Sequence, residues 1–420
     1  MTLESLTRDQ LEAFHAEQLR AYEDLKSAGL KLDITRGKPA PAQLDLSNGI
    51  LAKPATGIAA DGTDTRNYGG GTGLAQLREI FAELLNIPVD QLLAGNNASL
   101  TLMHDTIVFS LLHGTVDSDA PWSAGPIKFL APAPGYDRHF AICQHLGIEL
   151  VLIDMLADGP DMEAVREAVK DPAVKGIWLV PTYSNPTGVT ITDAVATELA
   201  TMETAASDFR IYWDNAYAVH HLTEERTASA DIVGLCAANG NPNRPLVFAS
   251  TSKITFAGAG VSFFGASPEN IAWYLKHTSI QAIGPDKVNH LRHAEFFGNA
   301  DGVLALMDQH REILAPKFEA VLRILSARLG EHGVATWTEP TGGYFVSLDV
   351  VDGTASRVVA LAKEAGIALT PAGASFPCGK DPRDRNIRIA PSFPSLEELE
   401  AAIEALATCV LLAAAEKSLG

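Results

Sequence analysis

The sequence predicts an α/β fold: a mostly parallel sheet with helices on both faces, joined to a smaller α+β domain. Three observations carry this. From about residue 95, short apolar runs alternate with helical patterns. The runs are apolar throughout rather than at every second residue, which marks strands buried on both faces. The length of 420 residues also exceeds what one small core organises, so a large domain with a smaller companion is expected.

The elements follow in order. Residues 7–28 carry a helical pattern, with Leu11, Phe14, Leu19, Tyr22 and Leu25 near one face, and Gly29 stops it. Asp33 to Pro39 then run in extended or turn geometry. Strands are predicted at Ile127–Ala131, Leu150–Ile153, Ile177–Pro181, Ile211–Asp214, Val247–Ser250 and Ser262–Ala266. A long helix over Val303–Leu329 leaves this region, and Pro316 inside it is expected to kink or break it. Strand-like Tyr344–Val350, Ile367–Leu369 and Asn386–Ala390, with helices at 354–365 and 395–415, form the smaller domain with the N-terminal segment. The expected division is 60–325 for the large domain and 1–59 plus 326–420 for the small one.

Composition narrows the function. Apolar residues make up 47% and charged residues 20%, as in a globular enzyme. A formal net charge of −19 argues against nucleic acid or an anionic membrane as partner, since both need a basic face. A few arginines can still draw a small anion into a cleft. No secretory signal opens the sequence, and the apolar stretch Cys409–Ala415 is too short to span a bilayer. Cys143, Cys236, Cys378 and Cys409 lack paired or metal-like spacing, which suits reduced thiols in the cytoplasm and no metal.

Three strand ends carry reactive residue types. Ser250-Thr251-Ser252-Lys253 fits a solvated loop lysine, or one whose amine is depressed by burial so that it condenses with a carbonyl. Asp214 ends an apolar strand where open α/β sheets place ligands, though such an Asp also caps helices and turns. Pro181 to Gly188 fits an ordinary turn.

Together, Asn185-Pro186-x-Gly188, Asp214-x-x-Tyr217 and Ser250-x-Ser252-Lys253, each after a strand and in this order, resemble the fold-type I pyridoxal-phosphate (PLP) enzymes. The likeness is to the class I aminotransferases and covers nearly the whole chain. Tyr68 to Gly73 with Leu77-Arg78, Pro134-Gly135-Tyr136 and Ile387-Arg388-Ile389 stand in matching order. The phrases Ser252 to Gly258 and His310 to Phe318 resemble the divergent bacterial aspartate aminotransferases related to MocR-type aminotransferase domains.

That resemblance implies a seven-stranded sheet, PLP as cofactor, and a role for each matching residue. Lys253 would hold PLP as a Schiff base and then move the substrate proton. Asp214 would pair with the pyridinium nitrogen, backed by His139. Asn185 and Tyr217 would donate to the ring 3′-oxygen, and Tyr136 would stack on the ring. The phosphate would sit at Ala98 and Ser99, which open a helix over Leu100–Leu112, with Ser250 and Ser252 adding hydroxyls. Tyr68 would reach the phosphate of a neighbouring subunit, giving a homodimer with shared active sites. Arg388 would grip the substrate α-carboxylate as a fork, with the Gly37 N–H as a second contact.

One position departs from the pattern. Class I enzymes usually carry a phosphate-binding arginine eight residues after the lysine, and here Val261 stands there. Other donors are expected to replace it. An acidic substrate also needs a second cation; Arg138, beside Tyr136, is the first candidate, before Lys38, Arg36 and Lys287. The implied reaction is ping-pong amino transfer between aspartate and 2-oxoglutarate. Aromatic, alanine or 2-aminoadipate transamination and a PLP-dependent lyase are the alternatives. An effector-sensing domain fits poorly, because the segment before residue 30 is too short for a DNA-binding module.

Overall fold

The computed structural model describes residues 2–420. Eight strands form one sheet, in the spatial order Leu92–Ala94, Ser262–Gly265, Pro245–Ser250, Arg210–Asp214, Val174–Leu179, Lys128–Ala133, Glu149–Leu156 and Gly159–Pro160. Five neighbouring strands, from Pro245–Ser250 to Glu149–Leu156, run parallel. Ser262–Gly265 is antiparallel to both its neighbours. The six strands read from sequence are all present. Leu92–Ala94 is the seventh, and the two-residue Gly159–Pro160, pairing antiparallel with the end of Glu149–Leu156, makes an eighth beyond the seven expected.

Period-2 geometry splits each strand between two apolar layers. Phe129, Tyr212, Leu246, Phe248 and Phe264 pack on one face with the helices Ser99–His113 and Pro268–Gln281. Leu130, Ile211, Trp213, Val247 and Phe263 pack on the other with Ala75–Leu85, Asp193–Thr201 and Lys287–Phe297. Both faces are covered, which is why these strands lack polar alternation.

A third core joins the chain ends. The helix Arg8–Ser27, opened by a Thr7–Gln10 capping box, packs against Leu396–Leu419, and Leu32–Asp33 pairs in parallel with Ile367–Ala368. The antiparallel strands Ala335–Trp337, Val346–Val350 and Asn386–Ile389 complete this layer.

The connecting helix corrects one expectation. Ala300–Leu329 runs as a single helix through Pro316. An internal proline costs ~3 kcal/mol through one lost ladder bond and a ring clash. Thirteen buried residues line this helix, and each large apolar one contributes about 1.5–3 kcal/mol. Val303, Leu306 and Met307 enter the sheet-side core, while Leu314, Phe318, Val321 and Leu325 enter the terminal one. Burial in two cores outweighs one missing bond.

Candidate active site

The strand order reverses between Lys128–Ala133 and Val174–Leu179, and open α/β sheets bind ligands at the carboxyl edge of such a switch. A cavity of about 180 Å³ lies there. Each wall comes from a segment just past a strand. Tyr136 follows Ala133, Asn185 follows Leu179, Asp214 closes its strand, and Ser250, Ser252 and Lys253 leave theirs. Ala98 and Ser99 come from the start of the helix Ser99–His113. With Tyr217, which also lines it, nine of the residues singled out from the sequence share one cavity.

Asp214 is almost wholly buried. His139 Nε2–H donates to its Oδ2 at 2.9 Å, while Oδ1 is buried with no hydrogen-bond partner among the described residues. The His139 ring is itself fixed, stacked on Trp178 at 4.4 Å and meeting Tyr136 edge-on at 4.9 Å. A buried carboxylate oxygen left unpaired is costly unless a donor arrives. Oδ1 is thus set to receive an N–H from a group in the cavity.

Lys253 places Nζ 4.9 Å from the centroid of the Tyr217 ring. Burial lowers its amine below the ordinary lysine range, and the charge of Asp214 offsets part of that. Burial and the nearby Tyr136 and Asp214 raise the Tyr217 hydroxyl well above its usual value. Tyr136 is pushed up to about 12 by burial first and Asp214 second. Both phenols stay protonated at neutral pH and can donate.

The helix start in the cavity wall suits an anion. No side chain caps the helix Ser99–His113, although its N-cap Ala98 is extended. Ser250 and Ser252 line the same cavity, with their hydroxyls 3.1 Å apart. Val261 is fully buried in the sheet-side core. Its N–H donates to Thr251 Oγ1 at 2.9 Å, and its carbonyl accepts from Thr251 N–H at 2.8 Å. The position that resembles an arginine site therefore closes the loop carrying Lys253 and is not part of the cavity wall.

Arg388 reaches in from the strand Asn386–Ile389, where it pairs in register with Ser347. Its Nη1 donates to Asp137 Oδ1 at 3.2 Å and Asn185 Oδ1 at 3.4 Å, while Nε is buried without a partner among the described residues. Accepting through Oδ1 leaves the Asn185 amide nitrogen for the cavity. The guanidinium lies 5.1 Å from the Phe345 ring centroid. A Cβ on Gly37 would fall 2.3 Å from that ring, so only glycine lets the N-terminal segment lie this close.

The remaining residues stand apart. Tyr68 is 83% exposed and outside the cavity wall. Arg138 is exposed on the helix Asp137–His145 and does not line the cavity. Of the other cations considered, Lys38 lies 3.8 Å over the Phe393 ring, and Lys287 donates to the carbonyls of Asn67 and Gly69. Sequence reasoning missed Asp137 and Phe345, which hold Arg388. It also missed Gln43, His220 and Tyr344 behind Lys253; they belong to no motif, and only the tertiary fold brings them there.

A lysine and a histidine-backed aspartate converging at this carboxyl edge are the arrangement of a fold-type I aminotransferase. Residues 6–420 match the family model described as aspartate amino-transferase. The chain belongs to that family. It is 57% identical over 419 residues to an aspartate aminotransferase of Corynebacterium glutamicum, covering 99% of this chain and 97% of that protein. A crystal structure of an aspartate transaminase from Corynebacterium glutamicum superposes with a TM-score of 0.98 at 56% identity, covering 99% of each chain. The fold extends to an α-aminoadipate aminotransferase of Thermus thermophilus, solved in complex with N-(5′-phosphopyridoxyl)-L-leucine. That structure has a TM-score of 0.73 at 20% identity and covers 96% of this chain and 95% of its own.

Proposed function

We propose that this aminotransferase exchanges the amino group of aspartate for the oxo group of 2-oxoglutarate in two half-reactions, with PLP as its cofactor. The unpartnered Oδ1 of Asp214 carries the cofactor reading. It needs a buried donor, and a protonated pyridinium nitrogen is one. The uncapped helix start at Ala98 and Ser99, with Ser250 and Ser252 lining the same cavity, suits the phosphate. The aspartate reading is supported by the names of the Corynebacterium relatives.

When bound, PLP supplies an electron-withdrawing ring that stabilises the charge left when the substrate α-carbon loses its proton. The chain's own residues do the rest. Lys253 Nζ, with its amine depressed by burial, anchors the group and then accepts and returns that proton. Asp214, held by His139, keeps the ring nitrogen protonated. Tyr217 and Asn185 would donate to the ring 3′-oxygen, and Tyr136 would cover a ring face. Arg388 grips the substrate α-carboxylate through its free edge, beside the Gly37 N–H. Exposed Tyr68 would complete the site of a second copy in a homodimer, and Arg138 would meet a distal carboxylate. We place the enzyme in the cytoplasm and divide it at 60–325 and at 1–59 with 326–420. The separate apolar cores of the sheet faces and of the chain ends support a two-part division, with Leu314 to Leu325 of the connecting helix packed into the terminal core.

The test is direct. Protein reconstituted with PLP should convert aspartate and 2-oxoglutarate to oxaloacetate and glutamate, and Lys253→Ala should abolish this. Aspartate alone should shift the bound chromophore, and 2-oxoglutarate should restore it. Net release of ammonia without a 2-oxoacid would indicate lysis instead.

A further inference from the structure

The turn that carries Lys253 is held from behind by side chains of other segments. His310 Nε2 lies 3.0 Å from the carbonyl of Ile254. The Lys253 carbonyl has the Tyr344 hydroxyl at 3.5 Å and His220 Nε2 at 3.4 Å. Gln43, fully buried, places Nε2 2.9 Å from His310 Nδ1 and 3.0 Å from the Tyr344 hydroxyl.

The proton positions in this network follow from one fixed donor. The Ala40 N–H can only donate, and it meets Gln43 Oε1 at 3.0 Å. The Gln43 amide nitrogen must then face His310 and Tyr344. His310 Nδ1 accepts, so Nε2 carries the hydrogen and donates to Ile254. Burial fits this tautomer, holding His310 down to about 4 and so neutral. The Tyr344 hydroxyl accepts from Gln43 and is left to donate to Lys253.

Two turns further along the same helix, about 10 Å away, Lys317 makes a second clamp. Its Nζ donates to the carbonyls of Ser392 at 2.8 Å and Pro394 at 2.6 Å. Ser392 Oγ in turn donates to the Lys38 carbonyl at 2.9 Å. Lys38 adjoins Gly37, and Ser392 follows the strand of Arg388.

We infer that His310 and Lys317 are positioning residues. One helix face sets the distance between the Lys253 turn and the Gly37–Arg388 pair. The inference rests on the reading of Lys253 as the reacting lysine and of Arg388 as the carboxylate grip. It also gives a purpose to the His310-to-Phe318 segment that no site residue explains. His310 governs where the amine stands, and Lys317 governs where the substrate carboxylate stands. Removing each should therefore damage a different kinetic constant.

The test uses full-length protein loaded with PLP. His310→Leu should lower kcat by roughly 10- to 100-fold, as a displaced reacting group does, with KM for aspartate changed less than about threefold. His310→Gln, whose amide nitrogen can replace Nε2, should stay within about threefold of the parent. Lys317→Met should instead raise KM about tenfold with little change in kcat. Hydrogen–deuterium exchange over residues 250–256 should quicken in His310→Leu and not in His310→Gln. If His310→Leu does not fold, Gln43→Leu, which removes the tautomer-fixing donor, should quicken the same exchange and lower kcat. Equal loss in both His310 variants, unchanged exchange, or identical kinetic profiles for His310→Leu and Lys317→Met would overturn the inference. If the unmodified protein transfers no amino group, the function reading fails, while the exchange comparison still decides the brace.

Discussion

The imidazole of His139 donates to one oxygen of Asp214 at 2.9 Å and leaves the other oxygen buried and unpaired. The two residues are 75 positions apart in sequence and meet because parallel strands on either side of Val174–Leu179 feed the same sheet edge. Asp214 closes one strand, and His139 sits on the helix that follows another. The histidine fixes the carboxylate so that its free oxygen faces the cavity. Replacing Asp214 by Asn removes the charge that would hold a ring proton. A loss on the order of 10²- to 10³-fold in kcat is expected, the scale of removing one preorganised electrostatic contact. His139→Ala leaves the charge and loosens its aim, so about 10-fold is expected. Steady-state kinetics of both variants decide it; a larger loss at His139 than at Asp214 would reverse these roles.

Arg388 and Arg138 separate two kinds of recognition. Arg388 is held by Asp137 and Asn185 with one edge free, and every amino-acid substrate presents an α-carboxylate. Arg388→Lys keeps the charge and loses the fork. KM should rise about 10- to 100-fold, the scale of one hydrogen bond to a charged group, and equally for aspartate, glutamate and alanine. Arg138→Ala should raise KM for aspartate and glutamate far more than for alanine. Equal effects of Arg138→Ala on all three would remove it as the distal-carboxylate cation.

Much of this site was legible because it lies at strand ends. Lys253, Asp214 and Asn185 each follow an apolar run, so their place on the sheet edge came from hydrophobic pattern alone. The pattern could not show which side chains would be turned inward. Val261 reads as a lost arginine in one dimension, yet its backbone bonds to Thr251 and its side chain fills the core. Pro316 reads as a helix breaker, yet the cores it spans hold the helix together. Gln43, Tyr344 and His310 are far apart in sequence and meet only through tertiary packing, so local pattern carried no sign of their contact.

Buried neutral histidines make stability depend on pH. His290 accepts from Leu74 N–H through Nδ1 at 3.3 Å and donates to the Gly95 carbonyl through Nε2 at 2.7 Å. A second proton would set Nδ1–H against the Leu74 N–H. Burial accordingly lowers His290 to about 4, from an ordinary value of 6.5. Between these values the unfolded chain binds a proton that the folded chain refuses. Stability from this residue is therefore complete above about pH 6.5 and falls as pH drops toward 4, by ~1.4 kcal/mol per pH unit. His290→Gln should give a shallower fall of the cofactor-free melting temperature between pH 6.5 and 5 than the parent shows. Parallel slopes would mean that His290 is protonated in the folded protein.

The last prediction concerns Val261, the position where a phosphate-binding arginine stands in the proteins this chain resembles. Restoring that arginine would be a gain only if its side chain could enter the cavity. Val261 has no exposure, and its backbone is bonded on both sides to Thr251. An arginine placed there must either leave an unpaired charge in the core or pull the Lys253 loop open. An uncompensated buried charge costs about 3–5 kcal/mol, more than one added phosphate contact returns at ~1.5–3 kcal/mol. Val261→Arg should thus lower the melting temperature and weaken PLP retention on dialysis. Unchanged stability with tighter retention would show that the loop turns its side chain into the cavity and that the phosphate end lacks a cation it can use.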